Sequence, residues 1–383
     1  MKPASIIAAV AALAGASCSG GAPAGLTLTV ANRSGIDRSE LASVPLASIA
    51  PRTGMPFTIC DAAGDTVPYQ ITHDSLVVFM VRVAAADSAI FSVTPGASLA
   101  VADTLACGGF YPERKDDFAW ENDRAAYRAY GPALQALGEQ SYGYDVWTKS
   151  VAHPVVERRY RMHLSSPVSY HEDHGDGMDV YSVGPTLGGG AAALVDSTGA
   201  LVYPRSFAEY EILDNGPLRF AVRLTYAPVV FGSDTVAEQR VITLDAGADL
   251  NRTEVLYRGL TRPARVAAGI VVHRAAAEAW SIDPTTRSAT YADPTDNPDA
   301  GNGIIWLGMV APQADSLALR PLPAPAGEAV AHILAEGTVE PGQTFVYSWG
   351  SGWSKGFVPD SATWATLVRR AAISIDQPLT VTM

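Results

Sequence analysis

The chain has 383 residues, 48% hydrophobic and 17% charged, with 27 basic against 39 acidic side chains and a net charge of −12. That balance excludes a disordered chain and supplies a sizeable core, in one large all-β domain or in two domains. No Lys/Arg stripe offsets the negative charge, so no nucleic-acid partner is expected. Beyond the N-terminus no apolar run is long enough to cross a bilayer as a helix.

Residues 1–17 read as a secretory signal, with Lys2 at the start, an apolar stretch from Ile6 to Ala16 and small residues at its end. Cys18 follows Gly15-Ala16-Ser17 and precedes Ser19-Gly20-Gly21-Ala22-Pro23. This is the layout of a bacterial lipoprotein site, with a lipid anchor on Cys18 and residues 18–25 as a tether; ordinary cleavage near Ala16 is the alternative. Either way the expectation is an exported protein, periplasmic or anchored to the outer membrane. Cys60 and Cys107 can pair in an oxidising compartment or remain two separate buried thiols.

From residue 26 the pattern is strand-like. Leu26-Thr27-Leu28-Thr29-Val30 alternates, Leu76 to Val81 reads as a buried strand and Ala89 to Val93 as another, giving a small β-rich region over 26–105. Residues 106–383 carry further strand candidates at Val156–Leu164, Leu218–Tyr226, Gln239–Leu244, Leu250–Tyr257, Ala267–His273, Gly303–Val310, Val330–Leu334 and Gln343–Trp349. Turn signals such as Asp214-Asn215-Gly216-Pro217 separate them. The spacing predicts a large antiparallel β-sandwich. One helix is expected over Ser361–Ala371, and Asp123–Leu137 fits helix and strand equally.

Three segments have the composition of a site. Between Tyr111 and Arg124, the groups Glu113, Arg114, Asp116, Asp117, Glu121, Asp123 and Arg124 surround Phe118 and Trp120. Sugars suit such a lining, since hydroxyls need paired donors and acceptors and their C–H faces rest on rings. An arginine there can fork onto a uronate carboxylate; a solvated, self-paired loop is the plain alternative. The second segment is Ser169-Tyr170-His171-Glu172-Asp173-His174-Gly175-Asp176-Gly177-Met178-Asp179. His171 or His174 can serve as general acid or base tuned by Glu172 or Asp173. The spacing matches neither a helical metalloprotease motif nor a calcium loop, so no cofactor is expected, with a divalent metal left open. In the third, Trp349, Trp353 and Lys355 follow a strand on a glycine-rich path. Two indoles there form either a sugar-stacking wall or a cap on the core. Tyr142 to Lys149 is a smaller stretch of the same kind. His73, His163 and His332 stand alone in strand-like sequence, while His273 ends an apolar strand and can enter a cleft. Gly188-Gly189-Gly190 lacks the strand–helix context of a phosphate loop.

Pro112-Glu113-Arg114-Lys115-Asp116-Asp117-Phe118-Ala119-Trp120-Glu121-Asn122-Asp123-Arg124, followed by Tyr130-Gly131-Pro132-Ala133-Leu134, resembles the hallmark of a bacterial family of exported proteins, domain-of-unknown-function family 4861. Tyr170-His171-Glu172-Asp173-His174-Gly175 and Trp349-Gly350-Ser351-Gly352-Trp353-Ser354-Lys355 fit the same pattern. The resemblance implies the galactose-mutarotase-like supersandwich and a role beside polysaccharide degradation. The leading expectation is an enzyme acting on acidic, uronate-containing oligosaccharides by β-elimination or dehydration. His171 and His174 would be base and acid, with Tyr170 in reserve and Glu172 beside them. Arg114, Arg124 and Lys355 would hold the carboxylate, Asp116, Asp117 and Glu121 would line the site, and Trp120, Trp349 and Trp353 would stack on rings. A mutarotase or epimerase and a non-catalytic surface glycan-binding protein are the rivals. All three require the stretches around Trp120, His171 and Trp353 to share one groove.

Overall fold

The computed structural model describes residues 25–97 and 103–383, so the expected signal, Cys18 and nearly all of its tether lie outside the described residues. The chain is all-β and antiparallel. Its first part is a small sandwich. Strand Leu26–Ala31 pairs with Ser88–Pro95, which continues to Phe57–Cys60, while Arg38–Pro45 and Tyr69–Ile71 flank Leu76–Val83 in a second sheet. Alternate residues of the two sheets, among them Leu28, Val30, Val44, Phe57, Val77, Phe79 and Phe91, meet in one buried cluster. The last strand, Thr380–Thr382, crosses back to pair with Leu26–Ala31.

The larger body is the supersandwich, built from a nine-stranded, a five-stranded and a four-stranded sheet. Its strands follow the hydrophobic pattern closely. Asp234–Asp245 alternates buried and half-exposed residues along its length. Ala264–His273 is buried on both faces and correspondingly rich in Ala, Gly and Val. The expected strands recur as Arg219–Tyr226, Asp234–Asp245, Leu250–Arg258, Ala264–His273, Ile305–Val310, Ala329–Val339 and Thr344–Trp353. The glycine run has a packing role. A Cβ on Gly190 would stand 2.5 Å from the Trp349 indole and one on Gly189 2.6 Å from Val146, so only glycine lets this connection thread the core.

Two helices cover outer sheet faces. Ser361–Asp376 extends the expected helix. Asp360 accepts the Thr363 N–H at 2.7 Å as its N-cap, and Trp364, Val368 and Ala372, four residues apart, pack on Trp306 and Val310. The second is a correction: Val156–Ser165 is a helix, not a strand. Its buried residues Val156, Arg159 and Tyr160 follow helical spacing, and its N-terminus rests on a buried carboxylate described below. Asp123–Leu137 resolves into the strand Ala126–Ala129 and the short helix Pro132–Ala136. Cys107 is a free thiol on the strand Ala106–Tyr111, so it does not pair with Cys60. Burial, followed by the Glu121 charge, pushes that thiol up to about 12, which keeps it unreactive.

Candidate functional site

The four-stranded sheet runs in the order Tyr144–Trp147, Ala126–Ala129, Asp117–Asn122, Ala106–Tyr111. Strand alternation sends Phe118, Trp120, Tyr127, Tyr144 and Val146 into the main core. The intervening residues Asp117, Ala119, Glu121, Ala126, Arg128, Asp145 and Trp147 face the other way, where the helix Val156–Ser165 and the segment around Tyr170 cover them. Register places Arg128 opposite Ala119 on one side and Asp145 on the other.

Arg128 is the centre of this outer face. Its Nη2 contacts Asp145 Oδ2 and lies 2.8 Å from Asp179 Oδ2, while its Nη1 lies 3.5 Å from Asp117 Oδ2. The guanidinium stacks over the rings of Tyr130 (4.7 Å) and Trp147 (5.2 Å). One cation among three buried carboxylates cannot neutralise them all. Burial raises Asp145 to about 7, against the pull of Arg128 and with the Asp179 charge adding to the rise. Burial likewise raises Asp179, and lifts Asp117 to about 6 despite Arg128 and Arg114. Burial therefore biases the cluster toward its protonated form. Tyr160 donates to Asp117 Oδ2 at 3.1 Å, but Asp117 Oδ1 and Arg128 Nε and Nη1 are buried with no hydrogen bond among the described residues. Unfilled buried polar valence of this kind marks a place where a ligand or water completes the network.

Above the cluster stands Tyr170, its ring walled by Trp147 (4.9 Å), His163 (4.1 Å) and His171 (4.5 Å). Arg114 Nε donates to the Tyr170 hydroxyl at 2.6 Å. The phenolic oxygen is thus the acceptor, its own proton is free to point elsewhere, and a cation waits for any charge left behind. Arg114 reaches this position from a tight turn in which Lys115 and Asp116 both take left-handed backbone angles, φ +58° and +63°. The Nδ1 of His171 donates to the Asp179 carbonyl at 2.8 Å, which leaves its Nε2 as the acceptor; half of the side chain is exposed. Burial, then His171 and Arg114, lower the pKa of His163.

The structure brings together Arg114, Asp117, Tyr170 and His171, but not the full set of expected residues. Trp120 and Trp349 are fully buried, stack edge to face 6.4 Å apart, and spend their N–H groups on Asn251 (2.8 Å) and Thr253 (2.9 Å). Trp353 is also buried and donates to the Asn302 carbonyl at 2.8 Å. These indoles are core, so the expected stacking wall is corrected: no face is left for a sugar. Glu121 is structural too. Its carboxylate accepts the N–H groups of Val155 (2.9 Å) and Val156 (2.8 Å), capping the helix, and binds Lys149 at 2.7 Å. Asp116 caps the short helix by accepting the Ala133 N–H at 3.2 Å. Arg124 belongs to a separate group, over the ring of Phe357 (5.2 Å) and beside Asp123. Lys355 is exposed on the following loop. Glu172 and His174 sit on an exposed loop, His174 Nε2 donating to the Ser169 carbonyl at 2.9 Å. The hollow they share with Tyr170, Arg158 and Met162 holds about 10 Å³, room for one water.

The sequence reading gave no role to Arg128, Asp145, Asp179, Tyr160 or His163, although Asp145 and Asp179 lie in stretches it flagged and His163 was set aside as a lone histidine. Their signal was present: in Ala126-Tyr127-Arg128-Ala129 and Tyr144-Asp145-Val146-Trp147 a charge alternates with core residues, which marks a buried charged face. A second hollow of about 640 Å³ lies between the small sandwich and the nine-stranded sheet, lined by residues that include His73, Asp214, Arg219 and Asp245. Its charges are paired within the wall, Arg219 to Asp245 at 2.6 Å and His73 to Asp214 at 2.7 Å. Among the described residues no group of three or more His, Cys, Asp or Glu side chains has the arrangement of a metal site.

Comparison with known proteins adds the following. "Uncharacterized protein P7" of Formosa agariphila is 34% identical over 172 residues, a match spanning 43% of this chain and 42% of that protein, so the chain aligns with less than half of the relative's length. Among solved structures, a protein in glycosyl hydrolase family 38 from Enterococcus faecalis superposes with a TM-score of 0.51 at 10% identity, covering 94% of this chain and 47% of that one. An α-mannosidase from Enterococcus faecalis V583 gives 0.49 at 10% identity, over 93% of this chain and 45% of the other. The first likeness shows the fold. The match to the family DUF4861, "Domain of unknown function", extends over residues 30–381, essentially the whole chain, and the chain belongs to that family.

Proposed function

We propose that the protein is an exported carbohydrate-active enzyme that acts on uronate-containing oligosaccharides by β-elimination or dehydration. The observation that carries the reading is the 2.6 Å hydrogen bond from Arg114 to the Tyr170 hydroxyl, with the His171 imidazole alongside and the Arg128 cluster beneath. Elimination next to a carboxylate needs a base for the C5 proton, a positive field for the enolate, and an acid for the departing oxygen. Tyr170 supplies the acid, because Arg114 stabilises the phenolate it becomes. Arg114 supplies the field. An imidazole supplies the base. The carbohydrate-enzyme name of the structural neighbour supports a carbohydrate substrate. The expected signal, with either a lipid anchor on Cys18 or ordinary cleavage near Ala16, would put the enzyme in the periplasm or at the outer membrane.

Incubation of the purified protein with saturated glucuronate and galacturonate oligosaccharides tests it. The absorbance of an unsaturated uronate should rise, and Tyr170→Phe should slow the rise by about 10²–10⁴-fold with binding retained. Anomer exchange without the new absorbance would establish a mutarotase instead, and binding with no product would establish a glycan-binding protein.

A further inference from the structure

A second acid–base pair lies outside the residues used so far. His273 ends the strand Ala264–His273 of the five-stranded sheet, and Asp293 ends Ser288–Asp293 of the nine-stranded sheet. His273 Nδ1 is 2.6 Å from Asp293 Oδ2, with 6% and 0% of the two side chains exposed. Asp293 Oδ1 in turn accepts the Thr295 N–H at 2.9 Å, and the His273 backbone N–H donates to the Tyr291 hydroxyl at 2.9 Å. With Nδ1–H committed to the carboxylate, Nε2 is the nitrogen that takes up a proton.

Two features distinguish this pair from one that merely fills a core. First, two buried hydroxyls beside it, Tyr181 and Thr295, have no hydrogen-bond partner among the described residues, and the Tyr181 ring lies 5.8 Å from the His273 ring. Buried hydroxyls are normally satisfied, and two orphans at one place fit the hydroxyls of a bound sugar. Second, Thr295 is held at φ +73°, a costly angle for a β-branched residue and one that persists where surrounding structure fixes it. Tyr181 also ties the pair to the Arg128 cluster. It follows Asp179 by two residues, and burial, then the charges of Asp293, Tyr291, Asp145 and Tyr130, push its phenol up.

We infer that His273, positioned by Asp293, is the general base of the proposed elimination, and that the Tyr181 and Thr295 hydroxyls hold the sugar between it and Tyr170. This rests on the uronate reading above. His273 Nε2 takes the C5 proton, and the C5–H electrons become the C4–C5 double bond. The C4–O bond breaks toward oxygen, which receives the Tyr170 proton. The phenolate rests on Arg114, and the imidazolium returns its proton to it through solvent, so nothing is oxidised or reduced. His171 then contacts the sugar at the rim.

The test compares His273→Gln, His171→Gln, Asp293→Asn and Tyr181→Phe in the full chain. His273→Gln should lower kcat about 10³-fold with KM changed by less than about threefold, and should erase the acid limb of the kcat–pH profile. Asp293→Asn should lower kcat and displace that limb, a shift that loss of packing alone would not produce. Tyr181→Phe removes an unpartnered hydroxyl and so should fold at least as well as the wild type, with KM raised about tenfold. A His273→Gln enzyme that keeps more than about a tenth of kcat, with His171→Gln carrying the loss, overturns the assignment, as does an unchanged KM in Tyr181→Phe. Should the wild type turn over no uronate, the ring ¹⁵N signals of the histidines are followed during titration with galacturonate. Movement of the His273 signal keeps the dyad as a ligand group while the elimination reading fails; movement of the His171 signal alone, or of neither, refutes the dyad.

Discussion

The two faces of the four-stranded sheet differ completely although the same strands make them. The inner face is aromatic: Phe118, Trp120, Tyr127 and Tyr144 interlock with Trp349, with Trp120 and Tyr144 packed edge to face at 5.8 Å and Tyr144 and Trp349 stacked at 4.5 Å. The outer face is charged yet equally buried, with Asp117, Glu121, Arg128, Asp145 and Lys149 under a helix and a loop. Period-two alternation thus divides one contiguous motif, Asp117 to Glu121, into packing and chemistry. A buried charged face is costly to keep. Its persistence on this side is what sets the two faces apart in kind.

The comparison breaks most readily at Trp120. If the inner face is only core, Trp120→Ala removes a fully buried indole and should destabilise the fold by about 3–5 kcal/mol, read as a lower urea midpoint with an unchanged m-value. The sugar affinity of the folded fraction should stay as it was. Loss of affinity at full stability would move Trp120 back to a binding wall and dissolve the distinction between the faces.

On the outer face, Glu121 separates support from chemistry. Glu121→Ala uncaps the helix Val156–Ser165 and strands Lys149 as a buried, unpaired ammonium. A loss of about 3 kcal/mol is expected in chemical denaturation. The double variant Glu121→Leu with Lys149→Met should recover part of it, because the uncompensated charge is gone. No recovery would mean that the cap alone carries the effect.

Much of this organisation can be read from the residues. Alternation along Leu250–Arg258 or Asp234–Asp245 is visible in sequence because one face is wet and the other dry. Arg114 and His171 were visible as polar groups clustered near tight turns. What failed was the reading of segments whose two faces are both buried. In Asp117–Asn122 charge and aromatic alternate, and both sets were read as lining one sugar site, with a solvated loop as the alternative. The helix Val156–Ser165 was taken as a strand because its Arg and Tyr residues are buried by a partner face, and its start is fixed by Glu121, some 35 positions earlier, with no local cap. The Trp349 and Trp353 indoles show the same limit: large aromatics on a glycine-rich path look like a wall until the opposing layer is known.

The mildest perturbation, Asp145→Asn, bears on whether the charged face is a proton store. Asp145 has its folded pKa raised from 3.8 to about 7 by burial, since Arg128 is shared with Asp179 and Asp117. The folded state therefore binds a proton that the unfolded chain has released. Stability from this group is fully present below about pH 4, declines as pH rises toward about 7, and is flat beyond. Within that window the slope is about 1.4 kcal/mol per pH unit for one group. Asp117, raised to about 6, and Asp179 act in the same direction. Denaturant midpoints of wild type and Asp145→Asn across the window should diverge with that slope, the variant losing less as pH rises. Parallel curves would show that Arg128 keeps Asp145 ionised throughout, and the outer face would then hold fixed charge instead of a transferable proton.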